Sequence, residues 1–355
     1  MAFFRTSSGL DAILDRSDGT LWERLRLNPL TTMARYLNDF FPVSLPVAGH
    51  DSDGDSVTVV CISDTHNFQP RLPPGDILVH AGDLTASGTR GELRRALDWL
   101  KAQPHRHKIV VAGNHDLCLD ESLSPSGIGG RSPVAGRSQD EKADESARGQ
   151  DDDDDDDDDE GNPLDWGDIT YLNRTSTTLK LPGRPRGIRV YGSPYTPRHG
   201  AWAFQYPRPP DEDPWAGAVP ASTDVLVTHG PPKGHMDDPR GGWGCELLLR
   251  ELWRARPRLH VFGHVHCGHG RETVAFDPLQ AAYEDVVLRE AVARASGDPR
   301  AWARGWASLG QCLAAWVHLW WGGGRGQPGE TVLVNAAVVG GIRDRLVREA
   351  IVVRI

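Results

Sequence analysis

The ten residues Val57–His66, VTVVCISDTH, decide the fold. Val57 to Ile62 are all apolar or β-branched, with no alternation between wet and dry positions. Such a run predicts a short strand covered on both faces. It stops at Ser63, and Asp64, Thr65 and His66 follow at once. A carboxylate and an imidazole directly after a buried strand lie at the loop edge of a sheet, where open α/β folds build their sites.

The same arrangement recurs along the chain. Ile77–His80 leads into Gly82-Asp83, and Lys108–Ala112 into Gly113-Asn114-His115-Asp116. Asp224–Thr228 leads into His229-Gly230-Pro231-Pro232, and Leu259–Phe262 into Gly263-His264-Val265-His266. Ile188–Tyr191 and Thr331–Val334 are two further buried-type runs. Between the second and third runs, Arg90–Gln103 places Leu93, Leu97 and Leu100 at helical spacing with charges on the opposite face. Strand, helix and strand at this spacing predict an α/β architecture.

Besides Asp116, the five strand-end motifs supply two aspartates, one asparagine and several histidines. Two divalent ions about 3.5–4 Å apart can clamp a phosphate and activate a water. Such a pair needs a shared carboxylate, other oxygen ligands and neutral imidazoles, a mixed N/O set that suits Mn, Fe or Zn better than Ca. An asparagine amide adds an oxygen ligand without adding charge that would repel the phosphate. A single DTH triplet is commonly a surface loop; five such motifs in order at strand ends favour a metal site.

DTH, GD, GNHD, HG and GHVH in this order resemble the calcineurin-like metallophosphoesterases. Gly192-Ser193-Pro194-Tyr195-Thr196-Pro197 and Thr228–His235 resemble the metallophosphoesterase-domain-containing (brain 239-type) subfamily more narrowly. The similarity covers roughly 57 to 119, 166 to 277 and 331 to 353. It implies a four-layer αββα sandwich of two mixed sheets and two divalent ions. By the same resemblance, Asp64, His66 and His266 hold one ion, Asn114, His229 and His264 hold the other, and Asp83 bridges them. His115 would protonate the leaving oxygen or hold the phosphoryl group, with Asp116 orienting it. Asn114, His115, Arg198 and His199 are candidate substrate contacts, and His235 with Asp237 could line the pocket. The implied activity is a phosphodiesterase on a small phosphoester, a cyclic nucleotide being the case the subfamily suggests. The alternative is a nucleotide-binding or scaffolding protein with a weakly active site.

Composition bounds the remainder. The chain of 355 residues has a formal net charge of −10. Residues 140 to 160 carry −12 of it, including nine consecutive aspartates, so the rest nets about +2 and gives no case for a nucleic-acid polymer. Five widely spaced cysteines with no CxxC pair argue against a disulfide framework and for a reducing compartment, the cytoplasm. The N-terminus shows no secretory pattern, and no apolar run of transmembrane length exists. Residues 1–55 read as a polar leader, helical over Leu21–Phe41, and 56–355 as one metallophosphoesterase domain. Within that domain, 120–162 is expected to be a disordered acidic insert. Residues 279–330 are expected to form a Trp-rich insert packed on the domain, with Trp302, Trp306, Leu309, Leu313, Trp316, Val317 and Trp320 on one stripe.

Overall fold

All seven buried runs are strands in the computed structural model. It describes residues 20–41, 56–123, 163–208, 210–237, 243–322, 325, 329–341 and 344–355. The first sheet contains β1 (Thr58–Ile62), β2 (Ile77–His80), β3 (His107–Val110), β4 (Ile169–Tyr171) and β15 (Ile351–Arg354), in the order β15–β1–β2–β3–β4. Its strands run parallel except β15, which pairs antiparallel with β1. The second contains β5 (Thr175–Leu181), β6 (Arg184–Ser193), β9 (Val225–Thr228), β10 (Leu259–Phe262), β11 (Gly270–Ala275) and β12 (Glu330–Asn335). Its order is β11–β12–β10–β9–β6–β5, with a parallel centre and antiparallel edges. Two short pairs, β7 (Thr196–Pro197) with β8 (Gln205–Tyr206) and β13 (Val339–Gly340) with β14 (Arg345–Leu346), lie outside both sheets.

Strand periodicity explains the layering. Successive side chains point to opposite faces. Val59, Cys61 and Val79 therefore meet Val190, Val225, Val227, Val261 and Val334 between the sheets. Their neighbours Val60, Ile62, Leu78 and Val110 face the other way, onto Leu93, Leu97 and Leu100 of α3 (Arg90–Lys101). On the far side, Leu226, Phe262 and Leu333 pack on Leu248 and Leu252 of α4 (Glu246–Ala255). Helix, sheet, sheet and helix thus stack in the four layers implied by the resemblance. Each fully buried Val or Leu contributes about 1.5–3 kcal/mol of transfer free energy.

The stretch expected to be helical over Leu21–Phe41 forms two helices, α1 (Leu21–Leu27) and α2 (Pro29–Phe40). Pro29 ends the first, because proline has no amide to donate, and it starts the second, because its fixed φ suits a first helical turn. A reciprocal Thr20–Glu23 cap opens α1. The Trp-rich segment is also two helices, α5 (Pro278–Ser296) and α6 (Pro299–Gly322). The face of α6 that is buried is built from the small residues Ala301, Gly305, Ser308 and Cys312. The expected stripe divides: Trp302, Leu309 and Trp316 pack beside α2 and α5, while Trp306, Leu313, Val317 and Trp320 are exposed. Most of the acidic insert, residues 124–162, lies outside the described residues; Leu117–Leu119 and Glu121–Leu123 are single 3-10 turns. Among the described residues, no helix is long and apolar enough to cross a membrane.

Candidate metal centre

Tight backbone geometry at the strand ends brings the motifs together. Asp64, His66, Asp83 and His264 all have positive φ, at 53°, 41°, 54° and 67°. Left-handed backbone in non-glycine residues is costly and concentrates at functional sites. The motif glycines make room for the carboxylates. A Cβ on Gly113 would sit 2.1 Å from Asp83 Oδ1, and one on Gly263 only 2.0 Å from Asp64 Oδ2. Gly82 combines φ +104° with a packing distance of 2.6 Å from its would-be Cβ to His229 Nδ1.

Asp64, Asp83, His66 and His229 are all buried. Three overlapping groups have donor atoms within 4.8 Å of one another: Asp64–His66–His266, His66–Asp83–His115 and Asp64–Asp83–His229. Asp83 Oδ2 lies 3.8 Å from His66 Nε2 and 3.3 Å from His229 Nε2, so this carboxylate sits between two imidazoles. His266 Nε2 is 3.3 Å from Asp64 Oδ1. His229 Nε2 is 2.9 Å from Asn114 Oδ1, and the His264 ring is 4.9 Å from that of His229. The His264 amide donates to both oxygens of Asp64 at 3.0 Å. The His115 amide donates to Asp83 Oδ1 at 2.7 Å. All seven expected ligands therefore converge.

The buried Nε2 of His66 has no hydrogen-bond partner among the described residues. An unpaired buried polar atom is costly, and a cation at this point would satisfy it. Charge balance makes the same point. Burial opposes ionisation of Asp64 and Asp83, yet contact with His266 and His229 holds both carboxyls far below the usual carboxylate range. The balancing charge rests on the imidazoles. Despite burial, Asp83 lifts His229 to about 9, and Asp344 and Asp64 lift His266 to about 10. Burial instead pushes His66 and His264 down, which keeps them neutral as ligands must be. The donor set fits divalent cations.

Around this centre, two assignments need revision. Asp116 does not touch the His115 imidazole. Its buried carboxylate accepts from the Gly113 and Thr85 amides at 2.8 and 3.0 Å and from the Thr85 hydroxyl at 2.8 Å. Those donors outcompete an imidazole for the carboxylate, and burial beside Asp83 raises its pKa to about 6. The His115 ring is held instead by Nδ1 against the Ala86 carbonyl at 2.9 Å. His235 does not line the site either. It is fully buried between Glu272 and Glu284, at 3.1 Å from each.

His199 does reach the centre, its ring 4.6 Å from that of His264, with Gln205 Nε2 donating to its Nδ1 at 2.8 Å. Arg198 is exposed and is tied through its amide to the Tyr206 carbonyl at 2.8 Å. Sequence reasoning missed Trp202, which stacks on His115 at 4.3 Å, and Asp344, which lies 3.2 Å from His266 Nδ1. Trp202 belongs to a loop bound to the third motif through the Ala203 amide and the Asn114 carbonyl. Neither residue lies in a strand-end motif, so no spacing signal marks it.

A four-layer sandwich with a buried carboxylate–histidine cluster at its strand ends has the layout of the metallophosphoesterase class. The chain belongs to the calcineurin-like phosphoesterase family, whose sequence pattern matches residues 57–268. It is 34% identical over 229 residues to human "Metallophosphoesterase domain-containing protein 1", covering 59% of this chain and 61% of that protein. It is 37% identical over 217 residues to "UPF0046 protein K07C11.7" of Caenorhabditis elegans, covering 60% and 64%. It is also 42% identical over 353 residues to the "Probable rhamnogalacturonate lyase C" of Emericella nidulans, covering 98% of this chain but 29% of that protein. The chain spans less than two thirds of the length of each of these relatives.

Proposed function

We propose that this chain is a phosphodiesterase for a small substrate, working with two divalent ions drawn from Mn, Fe or Zn. In this reading Asp64, His66 and His266 hold one ion, Asn114, His229 and His264 hold the other, and Asp83 is shared. The observation that carries it is the position of Asp83, whose Oδ2 faces imidazoles of both sets at 3.8 and 3.3 Å.

When bound, the ions would supply Lewis acidity and a nucleophilic water for in-line attack on phosphorus. The chain's own groups do the rest. His115 is half-exposed at the rim and carries its proton on Nδ1, toward Ala86, so Nε2 is the atom that exchanges a proton with the leaving oxygen. Asn114 contributes an uncharged oxygen, which avoids repelling the phosphate. His199 and Arg198 stand on the loop beyond the second set and serve as substrate contacts. The subfamily resemblance favours a cyclic nucleotide, and the five free cysteines support a reducing compartment such as the cytoplasm.

Purified protein with Mn²⁺ is assayed on an aryl phosphodiester, the matching monoester and a panel of cyclic nucleotides. The diester should turn over faster than the monoester, and Asp83→Ala or His264→Ala should each cut the rate at least 100-fold. Turnover unaffected by both substitutions overturns the assignment.

A further inference from the structure

Two carboxylates grip His266 from opposite nitrogens. Asp64 Oδ1 lies 3.3 Å from Nε2, and Asp344 Oδ1 lies 3.2 Å from Nδ1. The placement of Asp344 is built in. β13 (Val339–Gly340) and β14 (Arg345–Leu346) pair antiparallel, and Asp344 sits just before β14. The segment leading into β13 is fixed to the strand end that presents Asp64. Ala337 bridges Ser63, and the Val338 amide donates to the Ser63 carbonyl at 3.0 Å. Asp344 itself has positive φ, at 43°, a conformation aspartate tolerates better than most side chains.

The other orienting contacts in the cluster are of a different kind. His229 Nδ1 meets the Ala81 carbonyl at 2.9 Å, and His115 Nδ1 meets the Ala86 carbonyl at 2.9 Å. His266 has a charged partner at the same nitrogen. A carboxylate there fixes the proton on Nδ1, leaves the Nε2 lone pair for a cation and makes it more basic. Asp344 lies outside residues 57–268, where the family pattern matches.

We propose that Asp344 is a positioning residue for the metal centre, acting through His266 to raise affinity for the ion that His266 helps to hold. The proposal rests on the ligand assignment above. A merely structural ion pair would behave differently. Asp344 is 46% exposed, and a pair that open to water contributes little to folding stability. Its loss should be felt more in metal binding than in the unfolding of the metal-free protein.

The test is titration of metal-free full-length protein with Mn²⁺ and with Zn²⁺ against a competing chelator, read as affinity and stoichiometry with no turnover involved. Asp344→Gly suits the positive φ and removes the side chain, carboxylate included. It should weaken one of the two binding steps about 10- to 100-fold and leave the other unchanged. Asp344→Asn keeps an acceptor for Nδ1–H without the charge and should fall between the two. The metal-free variants should lose far less in unfolding free energy than they lose in metal affinity. Unchanged affinity in Asp344→Gly overturns the proposal, as does a loss matched by an equal fall in metal-free stability. A protein that binds two ions as described but hydrolyses no phosphodiester would sink the proposed function and leave this inference standing.

Discussion

The indole of Trp202 lies over the imidazole of His115, ring centroids 4.3 Å apart and planes inclined by 28°. His66 meets the same imidazole edge-on at 4.8 Å, and the Ala86 carbonyl holds its Nδ1. Face, edge and one nitrogen are thus fixed, and under the proposed function Nε2 is the atom that exchanges a proton with the leaving oxygen. Positioned acid–base groups contribute about 10²- to 10⁴-fold to rate, and small displacements forfeit much of that. Trp202→Ala should lower kcat about 10-fold with little change in KM and no change in metal content. Trp202→Phe should retain most activity. Steady-state kinetics on a phosphodiester separate this from a substrate-binding role, which would raise KM and spare kcat.

Gly113 and Gly263 invite a test of the carboxylate cradle. An added Cβ would collide with Asp83 Oδ1 at 2.1 Å and with Asp64 Oδ2 at 2.0 Å. Neither glycine has a positive φ, so an alanine there meets the clash without added backbone strain. Gly113→Ala and Gly263→Ala should each displace a ligand carboxylate and cost at least one equivalent of bound metal after dialysis. Gly310→Ala, on helix α6 with nothing within 4 Å of the new methyl, is the control and should bind metal normally. Elemental analysis of the three proteins decides the matter.

Much of this architecture can be read locally. Val57–Ile62 announces a strand by its own composition, and the candidate ligands Asp64 and His66 follow within four residues, so strand and candidate site are read together. Asp116 shows where local reading fails. Its position in the third motif is legible, but the direction of its carboxylate depends on Thr85, 31 residues away. Trp202 and Asp344 fail for a related reason: each reaches its histidine through a loop whose path follows from tertiary packing. In α6 the helical period is plain, but not which arc of the helix is covered. Small side chains at Ala301, Gly305 and Cys312 permit close approach, and that decides it.

Metal loading should release protons. In the metal-free protein His229 is lifted to about 9 and His266 to about 10 by their aspartate neighbours, so both imidazoles are charged at pH 7.5. A cation can bind only their neutral forms. Apparent affinity should therefore rise with pH and level off above about 10. Calorimetric titration at pH 7.5 in buffers of differing ionisation enthalpy should show close to two protons released per fully loaded protein. A buffer-independent enthalpy would contradict this charge assignment.

His235 governs a separate pH response. It is fully buried, with Nδ1 and Nε2 each 3.1 Å from a glutamate, Glu272 on β11 and Glu284 on α5. Burial disfavours the charged ring, but Glu272 and Glu284 outweigh it and raise the pKa to about 10. A raised pKa stabilises the fold fully below the unfolded value of about 6.5, and that stability is lost as pH climbs through about 10. The loss should approach 1.4 kcal/mol per pH unit at most. His235→Ala leaves the buried Glu284 without its cation and should cost about 3–5 kcal/mol at pH 7. Thermal unfolding of the metal-loaded protein from pH 6 to 10 checks both parts. The wild-type midpoint should fall toward pH 10, while the variant starts lower and falls less steeply, so that the two curves converge. Parallel curves would mean that His235 is neutral in the fold.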